Sequence, residues 1–175
     1  MGISIEEIFN QFLNSLDKKQ AVLEIGCNIG LKLSILEKMQ FKNLYGLEIN
    51  KNALEVARKN HPNIKFFNSS IEEFNPNGYE FDLVYTSNVL IHINPSILDQ
   101  IIKKIINLSK KFIFGYEYFS ENLEEIKYRG HDDVLWKQNF PNCFIKTGKV
   151  KVLKENKFYY YKENLCDIAY LLEKV

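Results

Sequence analysis

The stretch Val22-Leu23-Glu24-Ile25-Gly26-Cys27-Asn28-Ile29-Gly30 decides the fold. Ala21–Ile25 is a short apolar run closed by a glycine, the pattern of a buried strand. Directly after Gly30, Leu31, Ile35, Leu36 and Met39 fall at helical spacing, so the chain passes from strand to helix through a glycine-bearing turn. Glycines there let the backbone approach a ligand closely, and the start of the helix offers unpaired N–H groups. A plain turn accounts for one glycine. Two glycines with a carboxylate two residues before the first point to a bound ligand.

Outward from that turn, strand and helix patterns alternate. Leu44–Ile49 reads as a second strand, and Asn50 is placed to cap a helix over Lys51–Lys59. His61-Pro62-Asn63 is a turn before a third strand, Ile64–Phe67. Asn75-Pro76-Asn77-Gly78 precedes a fourth, Phe81–Thr86; Asn94-Pro95 then opens a long helix to Leu108, and Lys111–Glu117 is a fifth strand. Strands separated by helices form right-handed crossovers in a parallel, doubly wound sheet. The later half differs. A helix is expected around Asp132–Phe140, with strands at Val150–Leu153, Phe158–Tyr161 and Ile168–Glu173; strands joined without a long helix form an antiparallel hairpin at the sheet edge. The expectation is one α/β domain over residues 1–175: a Rossmann-like doubly wound seven-stranded sheet, mostly parallel, with an antiparallel C-terminal hairpin strand.

Composition narrows the function. Lys+Arg (23) and Asp+Glu (22) nearly cancel, and no like-charge block stands out, which disfavours a nucleic-acid footprint. Cys27, Cys143 and Cys166 form no CxxC pair, so neither a zinc centre nor a disulfide framework is expected, and a reducing, cytoplasmic setting is. The N-terminal segment has Ile5, Ile8, Phe9, Phe12, Leu13 and Leu16 at helical spacing, without the layout of a signal peptide. No apolar run approaches the roughly 20 residues that span a bilayer.

The second strand sharpens the first. It ends Gly46-Leu47-Glu48-Ile49-Asn50, with Glu48 placed 22 positions after Gly26, near the ~20 at which an acidic residue meets ribose hydroxyls in nucleotide-binding sheets. Glu48 read alone is an ordinary helix-start residue; paired with Glu24 on the neighbouring strand end it becomes a ligand contact. The chain resembles the class I S-adenosylmethionine-dependent methyltransferases, whose first motif reads roughly [E/D]-x-G-x-G-x-G. Glu24, Gly26 and Gly30 match; Asn28 replaces the middle glycine, a mild departure because Asn tolerates left-handed backbone angles. The resemblance implies that Gly26, Cys27, Asn28 and Gly30 line the methionine part of S-adenosylmethionine, with Glu24 orienting its ammonium group. It places Glu48 on the ribose and Ile49 on the adenine. It sets Ser70 and Ile71 at the adenine edge, and Asn88 and Val89 beside the cofactor at the fourth strand's end. A nicotinamide-binding protein is the rival, but its G-x-G-x-x-G fingerprint is not met here.

Methyl transfer requires an in-line nucleophile roughly 3 Å from the sulfonium carbon, and a base where the nucleophile carries a proton. His92, in Asn88-Val89-Leu90-Ile91-His92-Ile93, is a candidate, although local packing explains it better. Tyr128-Arg129-Gly130-His131 is more distinctive: Arg129 suits a carboxylate, and His131 a base near neutral pH. The plain alternative is a surface helix capped by Asp132 and anchored by Trp136. With Glu124 and Leu135–Lys137, this segment resembles the methyltransferases associated with pseudaminic acid and related nonulosonic acids. That narrower resemblance implies an acidic sugar or CMP-sugar as the small-molecule acceptor, residues 119–144 as an acceptor-side insertion, and residues 1–18 as an abbreviated lid. It also leaves room for a homodimer. Competing expectations are a small-metabolite or protein methyltransferase and an inactive binding protein of the same fold; base methylation in nucleic acid is disfavoured because Asn88-Val89-Leu90-Ile91 lacks an Asn-Pro-Pro-aromatic motif. No metal and no membrane partner is expected.

Overall fold

The computed structural model describes residues 3–128, 130–160 and 165–175. Helix α1 (Ile5–Leu13) is started by Ser4, whose hydroxyl accepts from the Glu7 amide while the Glu7 carboxylate accepts from the Ser4 amide. This reciprocal cap satisfies two otherwise orphaned N–H groups. There follow β1 (Ala21–Ile25), α2 (Leu31–Lys38), β2 (Asn43–Glu48), α3 (Lys51–Asn60), β3 (Lys65–Asn68) and β4 (Phe81–Ser87). A 3-10 turn, Leu90–His92, leads to α4 (Pro95–Leu108) and β5 (Ser109–Tyr118). Asn50 and Asn94 cap α3 and α4 as their positions predict.

The strands lie in the order β3-β2-β1-β4-β5, all parallel, continued by β9 (Leu165–Lys174) and β8 (Val150–Tyr160), both antiparallel to their neighbours. The expected seven-stranded sheet with its C-terminal hairpin is therefore present. The chain runs outward from β1 in one direction and resumes at β4 in the other, so strand order reverses between β1 and β4. Ligands in such sheets sit outside the carboxyl ends of the strands at that reversal.

Side chains alternate between two cores. Val22, Tyr85, Phe114 and Leu171 face α1, α2 and α3, while Leu23, Val84, Ile113 and Tyr170 face α4 and α5 (Phe140–Ile145). Helix α1 belongs to the first core: Ile8, Phe9, Phe12 and Leu13 are buried, and the Phe9 ring stands edge-on to Tyr85 and Phe114 at 5.7 and 5.4 Å. Burying four such side chains is worth roughly 2 kcal/mol apiece. Helix α1 thus forms part of the sheet's cover.

Two local expectations need correction. No helix spans Asp132–Phe140. Glu124–Glu125 (β6) and Trp136–Lys137 (β7) pair as an antiparallel ribbon, and α5 starts only at Phe140, where Asn139 accepts from the Asn142 amide and Pro141 fills the first turn. Asp133 takes φ +57°, which bars a helix through it. Secondly, Val150–Leu153 and Phe158–Tyr161 are not two strands. They are one strand, β8, that continues through Lys154–Lys157, with a register irregularity between Val152 and Lys154 and with Tyr161 outside the described residues. No described helix is long and apolar enough to cross a membrane.

Candidate methyl-donor site and its surroundings

The β1–α2 turn is built on left-handed backbone at alternate residues: φ is +69° at Gly26, +50° at Asn28 and +85° at Gly30. Asn28 adopts the conformation for which asparagine is the least costly substitute for glycine. Gly30 is the N-cap of α2 and supplies no side-chain cap, so the first-turn amides face the turn. Across the turn, the Glu48 carboxylate accepts from the Asn28 amide at 2.8 Å and from the Asn50 amide at 2.7 Å. It ties the end of β2 to the glycine turn of β1. Cys27 directs its thiol inward against Gly46, where an added Cβ would stand 2.6 Å from Sγ, and burial raises that thiol's pKa. Cys27 therefore offers the site its backbone and not its sulfur.

A cleft of about 180 Å³ opens at these strand ends. Ile25 and Gly26, then Leu47, Glu48 and Ile49, then Ser69, Ser70, Ile71 and Glu72 form its walls, with Val89 and Ile93 from the segment after β4. Six of the residues named for cofactor contact (Gly26, Glu48, Ile49, Ser70, Ile71 and Val89) thus line one apolar slot. Gly26 and Val89 fit tightly: a Cβ on Gly26 would stand 2.6 Å from the Val89 Cγ2. A larger groove, about 520 Å³, lies between α4 and α5, and none of these residues lines it.

The other named residues lie deeper. Glu24 is 1% exposed, its Oε2 has no hydrogen-bond partner, and burial pushes its carboxyl up to about 7, with the Lys32 charge opposing. Asn88, at φ +56°, also buries a side-chain oxygen without a partner, as does Ser87. Buried acceptors left without donors are rare and costly, about 1–3 kcal/mol each, and where they cluster at a strand-order reversal they fit a donor-bearing ligand group.

Two residues not picked out in the sequence belong to the same region. Lys32, in the first turn of α2, donates to the Ser87 carbonyl at 3.0 Å, and its charge is felt by Glu24 and Glu117. Glu117, fully buried near the end of β5, accepts from the Val89 amide at 3.0 and 3.3 Å, and burial raises its carboxyl to about 7. A glutamate within the apolar run Phe112–Tyr118, matching Glu24 within β1, was the available signal.

The acceptor-side candidates are placed unevenly. His92 sits in the 3-10 turn with Nδ1 3.0 Å from the Val134 carbonyl and its ring 6.2 Å from that of Tyr128, so it fastens the β6–β7 ribbon to the turn after β4. His131 and Tyr128 exchange backbone hydrogen bonds at the ribbon tip, where His131 is exposed. Arg129 lies outside the described residues. The described residues hold no cluster of His, Cys, Asp and Glu suited to a metal ion.

With a reversed strand order, a glycine turn on left-handed backbone and two strand-end carboxylates, this is the architecture of a nucleotide-type donor site on a methyltransferase fold. A family model described as a methyltransferase domain matches residues 22–111. The chain belongs to that family and is a class I S-adenosylmethionine-dependent methyltransferase. No curated protein sequence matches it. Solved structures share the fold. One is a Listeria monocytogenes protein described as an S-adenosylmethionine dependent methyltransferase, with a TM-score of 0.74 and 14% identity over 97% of each chain. Another is the 1,6-didemethyltoxoflavin-N1-methyltransferase of Burkholderia thailandensis, with a TM-score of 0.75 and 12% identity over 97% of this chain and 76% of that one. A third is the N-terminal domain of EvdMO1, solved in the presence of S-adenosylhomocysteine and D-fucose, with a TM-score of 0.71 and 15% identity over 97% of this chain and 81% of that one.

The residues present fit the donor. The slot bounded by Ile49, Ile71 and Val89 suits a flat adenine, the Glu48 carboxylate on its wall is an acceptor suited to hydroxyl donors, and the partnerless acceptors of Glu24 and Asn88 suit an ammonium group.

Proposed function

We propose that this protein methylates an oxygen or nitrogen of a sugar or sugar-nucleotide, a nonulosonic acid of surface-glycan synthesis being the acceptor most in keeping with its sequence. The observation that carries this reading is where Tyr128 and His131 fall. They pair at the tip of a ribbon fastened by His92 to the turn after β4, whose Val89 and Ile93 wall the cleft. In this reading residues 119–144 are the acceptor-side insertion, and the aromatic and polar side chains of the ribbon, Tyr128 and His131 among them, are of the kind that hold a sugar ring. The D-fucose present with the EvdMO1 domain supports a sugar acceptor on the same fold.

When bound, S-adenosylmethionine supplies an electrophilic methyl group on a sulfonium. The chain's own residues do the rest. Glu48 holds the ribose, the turn lines the methionine part, and Glu24 orients the ammonium group. In this reading Arg129 forks onto the acceptor's carboxylate and His131 contacts the acceptor from the ribbon tip, while His92 keeps the ribbon in place. The protein acts in the cytoplasm on soluble sugars.

The test is incubation with deuteromethyl S-adenosylmethionine and a panel of sugars, amino sugars and CMP-sugars that includes CMP-N-acetylneuraminic acid, read by mass spectrometry. A gain of one deuteromethyl group on a sugar is expected. Binding of S-adenosylhomocysteine with methylation confined to small non-sugar metabolites or to protein would overturn the acceptor reading and leave the donor site standing.

A further inference from the structure

The carboxyl end of β5 carries a polar cluster separate from the donor turn. Tyr116 donates to Asp167 Oδ2 at 2.5 Å, Tyr160 donates to the same oxygen at 2.8 Å, and the two hydroxyls are 3.1 Å apart. Asp167 is 6% exposed and makes no ion pair among the described residues. Two hydroxyls converging on one oxygen of a buried carboxylate, with the Phe158 ring edge-on to Tyr116 at 6.4 Å, make a more elaborate arrangement than fastening a hairpin requires. A pair of apolar side chains would fasten it better.

Position gives the cluster its meaning. Tyr116 pairs with Ser87 across β4–β5, and Thr86 pairs with Ile25 across β1–β4. Strands lie about 4.8 Å apart, so Tyr116 stands roughly 10 Å across the sheet from the donor turn, on the acceptor side of it. Its carbonyl accepts from the Asn88 amide at 2.9 Å, which fixes it to the segment beside the donor. Tyr118, more than one-third exposed, pairs with Asp167 and lies close enough to sense both Asp167 and Tyr128 of the ribbon. Tyr118 thus links the cluster to the ribbon at the carboxyl edge of the sheet, although the Tyr116 side chain packs on the α1 face and the ribbon's Leu135 on the α4 face. Its two hydroxyls differ in access: Tyr116 is buried, whereas Tyr160 is partly exposed.

We infer that Tyr160 and Asp167 form the proton-accepting group of the acceptor site, with Tyr116 as the positioning residue that holds Asp167, and that the methylated atom is a hydroxyl oxygen. The inference rests on the sugar reading above and specifies its chemistry. As the acceptor's hydroxyl attacks, its proton passes to the Tyr160 oxygen while the Tyr160 proton passes to Asp167. The oxygen's electron pair forms the new C–O bond, and the pair of the broken C–S bond stays on sulfur. The product is a methyl ether, and Asp167 later returns the proton to water through Tyr160. The exposed His131 imidazole then serves binding rather than proton transfer.

Tyr160→Phe, Tyr116→Phe and Asp167→Asn would be compared with the natural chain using the sugar that the panel identifies. Tyr160→Phe should lower kcat by about 100-fold or more with KM for the donor unchanged. Asp167→Asn should do the same, and Tyr116→Phe should lose about tenfold. All three should keep S-adenosylhomocysteine affinity by calorimetry, which also shows that they fold. NMR of the product should place the methyl group on oxygen. Methyl transfer to a sugar that Tyr160→Phe leaves intact, or that lands on nitrogen, overturns the cluster's role alone. Failure of every sugar to be methylated or to bind the S-adenosylhomocysteine complex overturns it together with the sugar reading.

Discussion

At the scale of the residue, the site rests on a few backbone angles and two carboxylates. Gly26 has φ +69° and no room for a Cβ against Val89, so Gly26→Ala strains the turn and displaces one wall of the slot. Its expected outcome is a loss of S-adenosylhomocysteine affinity of at least tenfold, read by calorimetry, with the chain still folded. Glu24 gives a sharper prediction. Its carboxyl titrates at about 7 in the free protein because it is buried, and an ammonium group placed beside it lowers that value. Binding near pH 7 therefore releases a proton, and affinity rises as pH is raised through 7. Calorimetry in buffers of different ionisation enthalpy measures the proton count; none released would remove Glu24 from contact with the ammonium. Most of this turn was legible in the sequence because it depends on short-range backbone chemistry. Glu117 and the pairing of Asp167 with Tyr116 were not, since those partners lie 28 and 51 residues apart and only the folded sheet brings them together.

At the scale of the element, the parallel half of the sheet was readable because buried parallel strands are continuous apolar runs punctuated by capped helices. The ribbon was not. Its strands are two residues each and carry no period, and Asp132 mimics a helix cap while Asn139-Phe140-Pro141 holds the true one. Strand β8 was split for a related reason: Lys154–Lys157 is polar because it is exposed at the sheet's edge, not because the strand stops. One close contact sets the join between the parallel half and the C-terminal hairpin. The Tyr170 ring lies over Gly115 of β5, where a Cβ would stand 2.1 Å from the ring carbon bearing the hydroxyl. Gly115→Ala should therefore destabilise the fold by roughly 3 kcal/mol or more, lowering Tm by about 10 °C in a thermal melt. A change within 2 °C would show that β9 can shift away from β5 at little cost.

At the scale of the whole molecule, the buried carboxyls couple stability to pH. Glu24 and Glu117 both titrate at about 7 rather than the ordinary 4.5, so the folded state prefers them protonated. The stability they confer is complete below about pH 4.5 and is lost as pH rises through 7, on the order of 3 kcal/mol for each fully buried group. Glu117→Gln keeps an acceptor for the Val89 amide and removes the titration. It should raise Tm at pH 8 and leave it nearly unchanged at pH 5; an equal effect at both would show that the charge is not the penalty. A positively charged ligand group beside Glu24 would offset its share of that penalty, so donor binding and stability are expected to be coupled through it.

The central claim is that the β1–α2 turn and Glu48 form the S-adenosylmethionine site. Titration of S-adenosylhomocysteine into the natural chain and into Glu48→Ala by calorimetry tests it most directly. One saturable site per chain, weakened at least tenfold by the substitution, is the predicted result. No binding at millimolar ligand to the folded protein, or equal affinity in both proteins, would contradict it.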